Sequence, residues 1–366
     1  MKKIIFSLFA VALMGMVACS KDDDSSAPDP DPEPVPAPVP PQDWPDQEGV
    51  YSPWAQIVTV TNDGTVEERW SWLGPRLQSV SNGSNVQQRG FSYDGSGRVQ
   101  SVNIAGGVLT EYLGNLLTGT AEVSYTGDYV SGITLKRDGT DMVAAQVSRN
   151  VANKVSRASV SLNDETLLAL LNGMIASFVS SSSANLPAFT ITGSNGSLDF
   201  SWVGDNVGQV RLSVSINASS TKGAIMNSSL ANIIGSQPSL SALISFLPDN
   251  TPIAFGVTIT DTIGYDYDSK TNPFKHYLGQ VDVSTLSANN VTQESHASGV
   301  SIKVGLTSPN IPLYSRPLFN RTVSYRYAYN TANYPVSVTD RVTDASGNVS
   351  NGTTRQFEYT YQEQQQ

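Results

Sequence analysis

One short stretch limits what this chain can fold into. Phe91-Ser92-Tyr93 sets two aromatics two residues apart, on one face of an extended strand. Asp94-Gly95-Ser96-Gly97 follows, and glycine takes positive φ at little steric cost, so the chain can turn tightly there. Val99 and Val102 then resume the apolar pattern. Strand, turn and strand read as a β-hairpin.

Looser copies recur. Trp70-Ser71-Trp72-Leu73-Gly74 leads to Leu77 and Val80, and Val123-Ser124-Tyr125-Thr126-Gly127 leads to Val130 and Ile133. Phe200-Ser201-Trp202-Val203-Gly204 leads to Val207 and Val210, and Tyr327-Ala328-Tyr329 leads through Asn333 to Pro335 and Val338. The spacing between copies is irregular, which excludes a solenoid of fixed period. It fits an up-and-down meander of hairpins with insertions. The expected fold is mainly β: an antiparallel meander over residues 49–362, forming a curved sheet or barrel. Phe357-Glu358-Tyr359-Thr360-Tyr361 reads as its closing strand.

Two apolar segments break the β pattern. Asn163 stands where a helix N-cap is favoured, followed by Asp164 and Glu165 in the first turn. Leu167, Leu170, Leu171, Met174 and Phe178 then follow at helical spacing. A second segment holds Leu240, Leu243, Ile244 and Leu247 between Pro238 and Pro248. Helical insertions are expected near 164–180 and 224–247, packed on the inner face of the sheet. They complete its core, or they line an apolar cavity through Leu167, Leu171, Met174, Phe178, Leu243 and Leu247. Periodicity does not separate these readings.

The first 48 residues carry no core. Lys2 and Lys3 precede the apolar run Ile4–Val17, which reads as a signal peptide over residues 1–18. Met16-Val17-Ala18-Cys19 resembles a bacterial lipobox, with Met where Leu is usual. The resemblance implies that the leader is cut before Cys19, whose sulfur and new amine receive acyl chains. Cys19 is the single cysteine, so the rest of the chain has no disulfide and no thiolate metal site. Ser20-Lys21-Asp22-Asp23-Asp24 resembles the Lys-plus-acidic signal, here Lys21, Asp22, Asp23 and Asp24, that sends Bacteroidetes lipoproteins to the outer face of the outer membrane. An acidic, proline-rich tether completes residues 19–48. Proline favours polyproline II, and at about 3.1 Å per residue the run from Pro28 to Pro45 could reach about 50 Å. The leader contributes +2 and the tether −8, which leaves −4 of the total −10 for residues 49–366. That balance gives no basic patch for nucleic acid.

Tyr93-Asp94 and Gly97-Arg98-Val99 match the core of the YD repeat, which the hairpin unit resembles. Tyr265-Asp266-Tyr267-Asp268 followed by Asn272-Pro273-Phe274 carries a broader likeness. It resembles a family of Bacteroidetes surface lipoproteins, a domain of unknown function described as porin-like in fold. The resemblance implies a curved antiparallel sheet or barrel and no known activity.

No catalytic constellation is legible. The chain has two histidines, His276 and His296, and no nucleophile elbow or zinc motif. His276 reads as a loop residue and His296 as solvent-exposed. Asp266 and Asp268 alternate with tyrosines, which makes them candidates for calcium, a ligand or acid–base work. The preferred reading turns Tyr265 and Tyr267 inward and leaves the aspartates in water. Trp54, Trp70, Trp72 and Trp202 could stack on sugars or pair across strands. The sequence thus leads to a lipid-anchored outer-membrane protein facing the cell exterior, with no cofactor or metal. The expected role is a non-enzymatic binding module for a glycan, an apolar ligand or a surface protein. A carrier of an apolar ligand in a helix-capped β cavity and a carboxylate-based glycan-acting enzyme are the alternatives.

Overall fold

A computed structural model describes residues 50–51, 53–105, 118–179, 185–278 and 283–361. Cys19 and the tether residues Lys21, Asp22, Asp23 and Asp24 lie outside them. Among the described residues, sixteen antiparallel strands close into one barrel, each paired with its neighbours in the chain, and the last strand pairs with the first. Nine short strands come first: β1 (Ala55–Asn62), β2 (Thr65–Leu73), β3 (Arg76–Asn82), β4 (Gln87–Tyr93), β5 (Val99–Ile104), β6 (Gly119–Thr126), β7 (Tyr129–Arg137), β8 (Thr140–Arg149) and β9 (Val155–Leu162). Longer strands follow: β10 (Thr190–Val203), β11 (Asn206–Thr221), β12 (Pro252–Thr271), β13 (Asn289–Gly305) and β14 (Ile311–Tyr329), then β15 (Pro335–Asp344) and β16 (Val349–Tyr361).

The unit seen in the sequence occurs eight times, in seven hairpins and at the pairing of β16 with β1, because every even strand and the odd strand paired with it across the lower rim obey one rule. The ladder shifts by one residue just after the rim, leaving a single unpaired residue in each odd strand: Val58, Gln78, Gln100, Ser131, Ser156, Gly208, Thr292 and Val336. A β-bulge of this kind bends the strand and increases its twist, which helps a sheet to close. Beside each bulge, a backbone carbonyl accepts a hydrogen bond from a side chain of the following even strand. Trp72 Nε1 donates to Ile57 O at 2.6 Å, Tyr93 OH to Leu77 O at 2.6 Å and Tyr125 OH to Val99 O at 2.8 Å. Trp202 Nε1 donates to Val155 O at 2.7 Å, Tyr267 OH to Val207 O at 2.8 Å, Tyr327 OH to Val291 O at 2.9 Å and Tyr359 OH to Pro335 O at 2.7 Å. In the eighth copy Arg149 takes the aromatic's place, its guanidinium donating to Val130 O at 3.2 Å.

The bulge also explains the apolar spacing. Leu77 and Val80, Val99 and Val102, and Val207 and Val210 are three residues apart and all buried on the inner face. A regular strand would need an even spacing. Gly74, Gly97, Gly127 and Gly204 turn the rim at positive φ.

The barrel is lopsided. β10 pairs with β9 only over Gly196–Asp199, and β14 meets β15 only from Arg321 onward. The remaining lengths of β10–β14 rise above the upper rim as a five-stranded flap. Its free edge on β14 carries Pro312 and Pro317, which cannot donate to an added strand. Helix α1 (Asp164–Val179) and the short helices α2 (Lys222–Met226), α3 (Leu230–Gly235) and α4 (Pro238–Ser245) cover the concave face of this wall. Asn163 caps α1 as its position predicts, accepting from the Thr166 N–H at 2.9 Å. Leu167, Leu171, Ile175, Ile225, Ile234, Leu240 and Ile244 pack there against Val214, Ile216, Phe255 and Ile302.

At the lower rim the connection from β12 to β13 turns into the barrel. Tyr277 is fully buried, 4.8 Å from Tyr51, 4.9 Å from Trp70 and 5.8 Å from Phe91 between ring centres. The lumen thus has an aromatic floor and a helical roof.

The wall is apolar inside and polar outside. Along β11, Leu212, Val214, Ile216 and Ala218 face inward and Ser213, Ser215, Asn217 and Ser219 face outward. β12 repeats the pattern, with Thr258, Thr260 and Thr262 outside. A membrane-spanning barrel shows the reverse, an outer apolar band around a polar interior. Among the described residues, no helix is long and apolar enough to cross a membrane.

Candidate functional site

The inner wall carries a polar island on β12 and β13, separate from the buried Arg89–Glu68 pair of β4 and β2. Strand alternation puts Ile259, Asp261 and Ile263 of β12 on the inner face, and Glu294, His296 and Ser298 of β13 beside them. Asp261 lies opposite Ser298 in register, His296 opposite Ile263 on one side and Arg321 of β14 on the other. Asp261 and His296 are each 3% exposed and Glu294 is 7% exposed.

The imidazole sits between the carboxylates. Nε2 lies 3.2 Å from Glu294 Oε2, within hydrogen-bonding reach, and Nδ1 lies 3.7 Å from Asp261 Oδ2. The second distance is an ion-pair contact, too long for a hydrogen bond. Burial opposes a charge on the ring. The flanking Asp261 and Glu294 outweigh it, so the His296 pKa is raised above its ordinary value. Neither carboxylate oxygen of Asp261 has a hydrogen-bond partner.

The hairpin repeat makes Glu294 conspicuous. Three residues beyond the rim carbonyl, the other copies hold Val60, Val80, Val102, Ile133, Ala158, Val210 and Val338. β13 alone holds a charged residue in that slot. Chemically the island offers two carboxylates with an imidazole between them, beside the apolar Leu212, Ile259 and Ile263. Among the described residues no group of three His, Cys, Asp or Glu side chains is arranged to hold a metal ion.

His296, expected in solvent, is buried. The polar run Gln293–Ser298 has no apolar face of its own. Its register is set by Val300, Ile302 and Val304 farther along, whose period of two carries back to His296. That period is a signal the sequence does contain.

The other candidate residues fall elsewhere. Tyr265 and Tyr267 pack inward as preferred, and Asp266 is exposed, accepting from Gln293 Nε2 at 3.2 Å. Asp268 sits at the lower rim, where it accepts from the Lys270 N–H at 2.9 Å, the Asn290 N–H at 3.1 Å and the Tyr329 hydroxyl. Its oxygens are engaged in ordering the rim. Leu167 and Leu171 are buried in the helix–sheet core and Leu247 packs against it. Leu243 is not part of an apolar lining: it is 40% exposed, because Leu240 and Ile244 present the inward face of α4. The side chains of Met174 and Phe178 lie outside the described residues. His276 occupies the rim loop as expected, at positive φ. Trp54 and Trp70 are buried, and Trp72 and Trp202 spend their N–H groups on the bulge carbonyls, so all four serve the sheet.

No protein-family model matches the chain, and no curated protein matches it.

Proposed function

We propose that this chain is a lipid-anchored binding protein of the outer cell surface, which does no covalent chemistry and holds its ligand inside the barrel. The anchor and its placement rest on the leader, Cys19 and the Lys21–Asp24 signal. The polar outer wall is consistent with a domain held in water on a proline stalk. One observation carries the binding reading: on the inner wall of β12 and β13, Glu294 takes a slot that the other copies of the unit fill with an apolar residue, and it stands there with Asp261 and His296. Filling a core requires only an apolar side chain in that slot, as the other seven copies of the unit provide.

Two measurements test this. Radiolabelled palmitate is expected to enter the wild-type chain and not the Cys19→Ser chain. Native mass spectrometry of the Cys19→Ser chain, before and after organic extraction, is expected to show a bound species that extraction removes. A single unliganded mass in both samples refutes binding in the lumen.

A further inference from the structure

The two ends of the barrel differ. Among the described residues, the four most exposed large apolar side chains are Val151 (108%), Phe246 (88%), Val203 (73%) and Leu73 (71%). Phe246 lies on the helical roof. The other three stand at the lower rim, on the β8–β9, β10–β11 and β2–β3 turns. Such turns favour Gly, Asn, Asp and Ser, and an apolar side chain this exposed contributes little to a core. Single exposed apolar residues are ordinary on a protein surface, so their position has to decide.

Two observations concern position. The described chain enters the barrel at the same end: Tyr51 is fully buried in the aromatic floor, its hydroxyl donating to Pro273 O at 3.0 Å. The tether therefore joins the barrel at the rim that carries the three side chains. Charge divides the same way. In the turns and connections of the lower rim, strand ends included, the described residues hold Arg76, Arg98, Arg149, Lys154 and Lys275 against Asp94, Asp128 and Asp205. Those of the upper rim hold Asp63, Asp138, Asp164, Glu165, Asp249 and Asp344 against Arg137 and Lys222. The lower end is thus net basic and the upper end net acidic. Arg76, Arg98 and Lys154 lie over the rings of Tyr93, Tyr125 and Trp202, at 5.5, 4.3 and 5.3 Å from the ring centres, which holds their charge at the rim.

We propose that the lower rim rests on the anionic phospholipid bilayer in which the chain is anchored, with Leu73, Val151 and Val203 entering its interface and the bases over the headgroups. Apolar side chains beside basic ones, at the edge of a polar surface, suit a face that lies on a membrane. The barrel sits on the bilayer and does not span it, in keeping with its polar outer wall. This rests on the reading of Cys19 as a lipid anchor. Tethering makes the seating intramolecular, so three side chains too few to capture a free protein are enough to orient a tethered one.

One turn occurs on both rims and supplies a matched pair of reporters. Asp94 accepts from the Ser96 and Arg98 N–H groups, and Asp344 from the Ser346 and Asn348 N–H groups, all at 2.9 Å, with Gly97 and Gly347 at φ +83 and +81. Ser96→Cys and Ser346→Cys each place an exposed thiol there. The anchored chain is purified in detergent, labelled with a fluorescent maleimide and reconstituted in vesicles of phosphatidylcholine and phosphatidylglycerol that carry a spin-labelled quencher lipid. An acylated Cys19 takes no label, so wild type should stay dark. Quenching is expected to be several-fold stronger at Ser96→Cys than at Ser346→Cys. Leu73→Asp, Val151→Asp and Val203→Asp, combined in the Ser96→Cys chain, should lower it to the Ser346→Cys level and leave the melting temperature unchanged. If that variant does not accumulate, Val151→Asp, at the most exposed of the three, should lower the quenching on its own. Equal quenching at the two rims overturns the proposal and leaves the anchor standing; a wild-type dimer in detergent that the triple substitution dissociates would then assign the three side chains to a second copy. Strong quenching at Ser96→Cys that survives the substitutions shows that the tether alone keeps the rim near lipid, and overturns it as well. Stronger quenching at Ser346→Cys seats the roof and Phe246 instead. Wild-type chain that takes up label has a free Cys19, and the anchor reading falls together with the seat that rests on it.

Discussion

Removing the same hydroxyl from two tyrosines of this barrel should change its stability in opposite directions. Tyr93 OH donates to Leu77 O at 2.6 Å, one of the eight bonds that hold a bulge carbonyl. Tyr277 is fully buried in the lower plug, and its hydroxyl has no hydrogen-bond partner. A net hydrogen bond contributes about 1 kcal/mol, and a buried polar group without a partner costs about 1–3 kcal/mol. Tyr93→Phe should therefore destabilise by about 1 kcal/mol and strand the Leu77 carbonyl. Tyr277→Phe keeps the ring contacts with Tyr51, Trp70 and Phe91 and removes only the unpartnered group. It should stabilise by about 1 kcal/mol. For a chain of this length each kcal/mol moves the melting temperature by about 2 °C. The two variants should therefore melt about 4 °C apart, on opposite sides of wild type. Urea titration followed by tryptophan fluorescence checks the free energies directly. A Tyr277→Phe variant as destabilised as Tyr93→Phe would mean that the plug hydroxyl is satisfied, and the reasoning from its lack of a partner would fail.

Alkaline pH should unfold the barrel cooperatively. Burial, with neighbouring tyrosines, raises the pKa of Tyr51 and Tyr359 well above 10.0, and burial pushes that of Tyr334 up to about 12. A raised folded pKa gives stability that is complete below the unfolded value and is lost as pH rises through the folded one. The tyrosinate absorbance of the buried tyrosines and loss of β circular dichroism should thus rise together above pH 10; complete ionisation of the tyrosines in a folded barrel refutes the burial argument. Arg89 is paired with Glu68 inside the wall, with side-chain exposures of 7% and 17%. Arg89→Ala leaves a carboxylate stranded and should cost about 3 kcal/mol by urea titration, whereas a loss under 1 kcal/mol would place the pair effectively in solvent. Gly204 turns the rim at φ +57 with open space around it, so Gly204→Ala should cost about 1 kcal/mol through backbone strain alone. Gly264, equally open and at ordinary φ, should tolerate alanine or gain about 0.5 kcal/mol, and equal losses at both sites would refute the distinction.

Much of this fold was legible because one hairpin carries its own punctuation. Paired aromatics, a positive-φ glycine and two apolar residues three apart encode the even strand, the rim turn and the bulge. Where a residue type changed, the copy was hidden: Arg149 donates the same bond as a tyrosine but breaks the aromatic pattern. Tyr265 and Tyr267 look like part of a separate motif, although they are the aromatic pair of β12. Closure was not legible, since an odd spacing reports a bulge and not the number of strands that it helps to close. The site was hidden for a related reason. Polar residues in a strand usually mark its wet face, so His296 read as exposed. Its burial follows only from parity with Val300 and Ile302, across a segment whose one apolar residue, Ala297, faces outward. The glutamate in a slot that seven other copies of the unit fill with an apolar residue is the sign that survives, once the copies are aligned on their bulges.

The seam between β1 and β16 has a consequence for how the molecule is made. Ala55 lies opposite Tyr361 and Asn62 opposite Arg355, so the ring is joined by the two ends of its own length. Every other ladder connects neighbours in the chain and can form as soon as both strands exist. The seam must wait for the last strand. Until then β1 presents an unsatisfied edge, the geometry that recruits strands from other chains. Loop-closure entropy grows only logarithmically with length, so the delay costs little free energy. It does fix an order of events: fifteen ladders can assemble locally, and one final joining step removes both edges together. A chain cut short before Phe357 would carry nearly all of the barrel and still lack the join, an open ribbon exposed to association with its own copies.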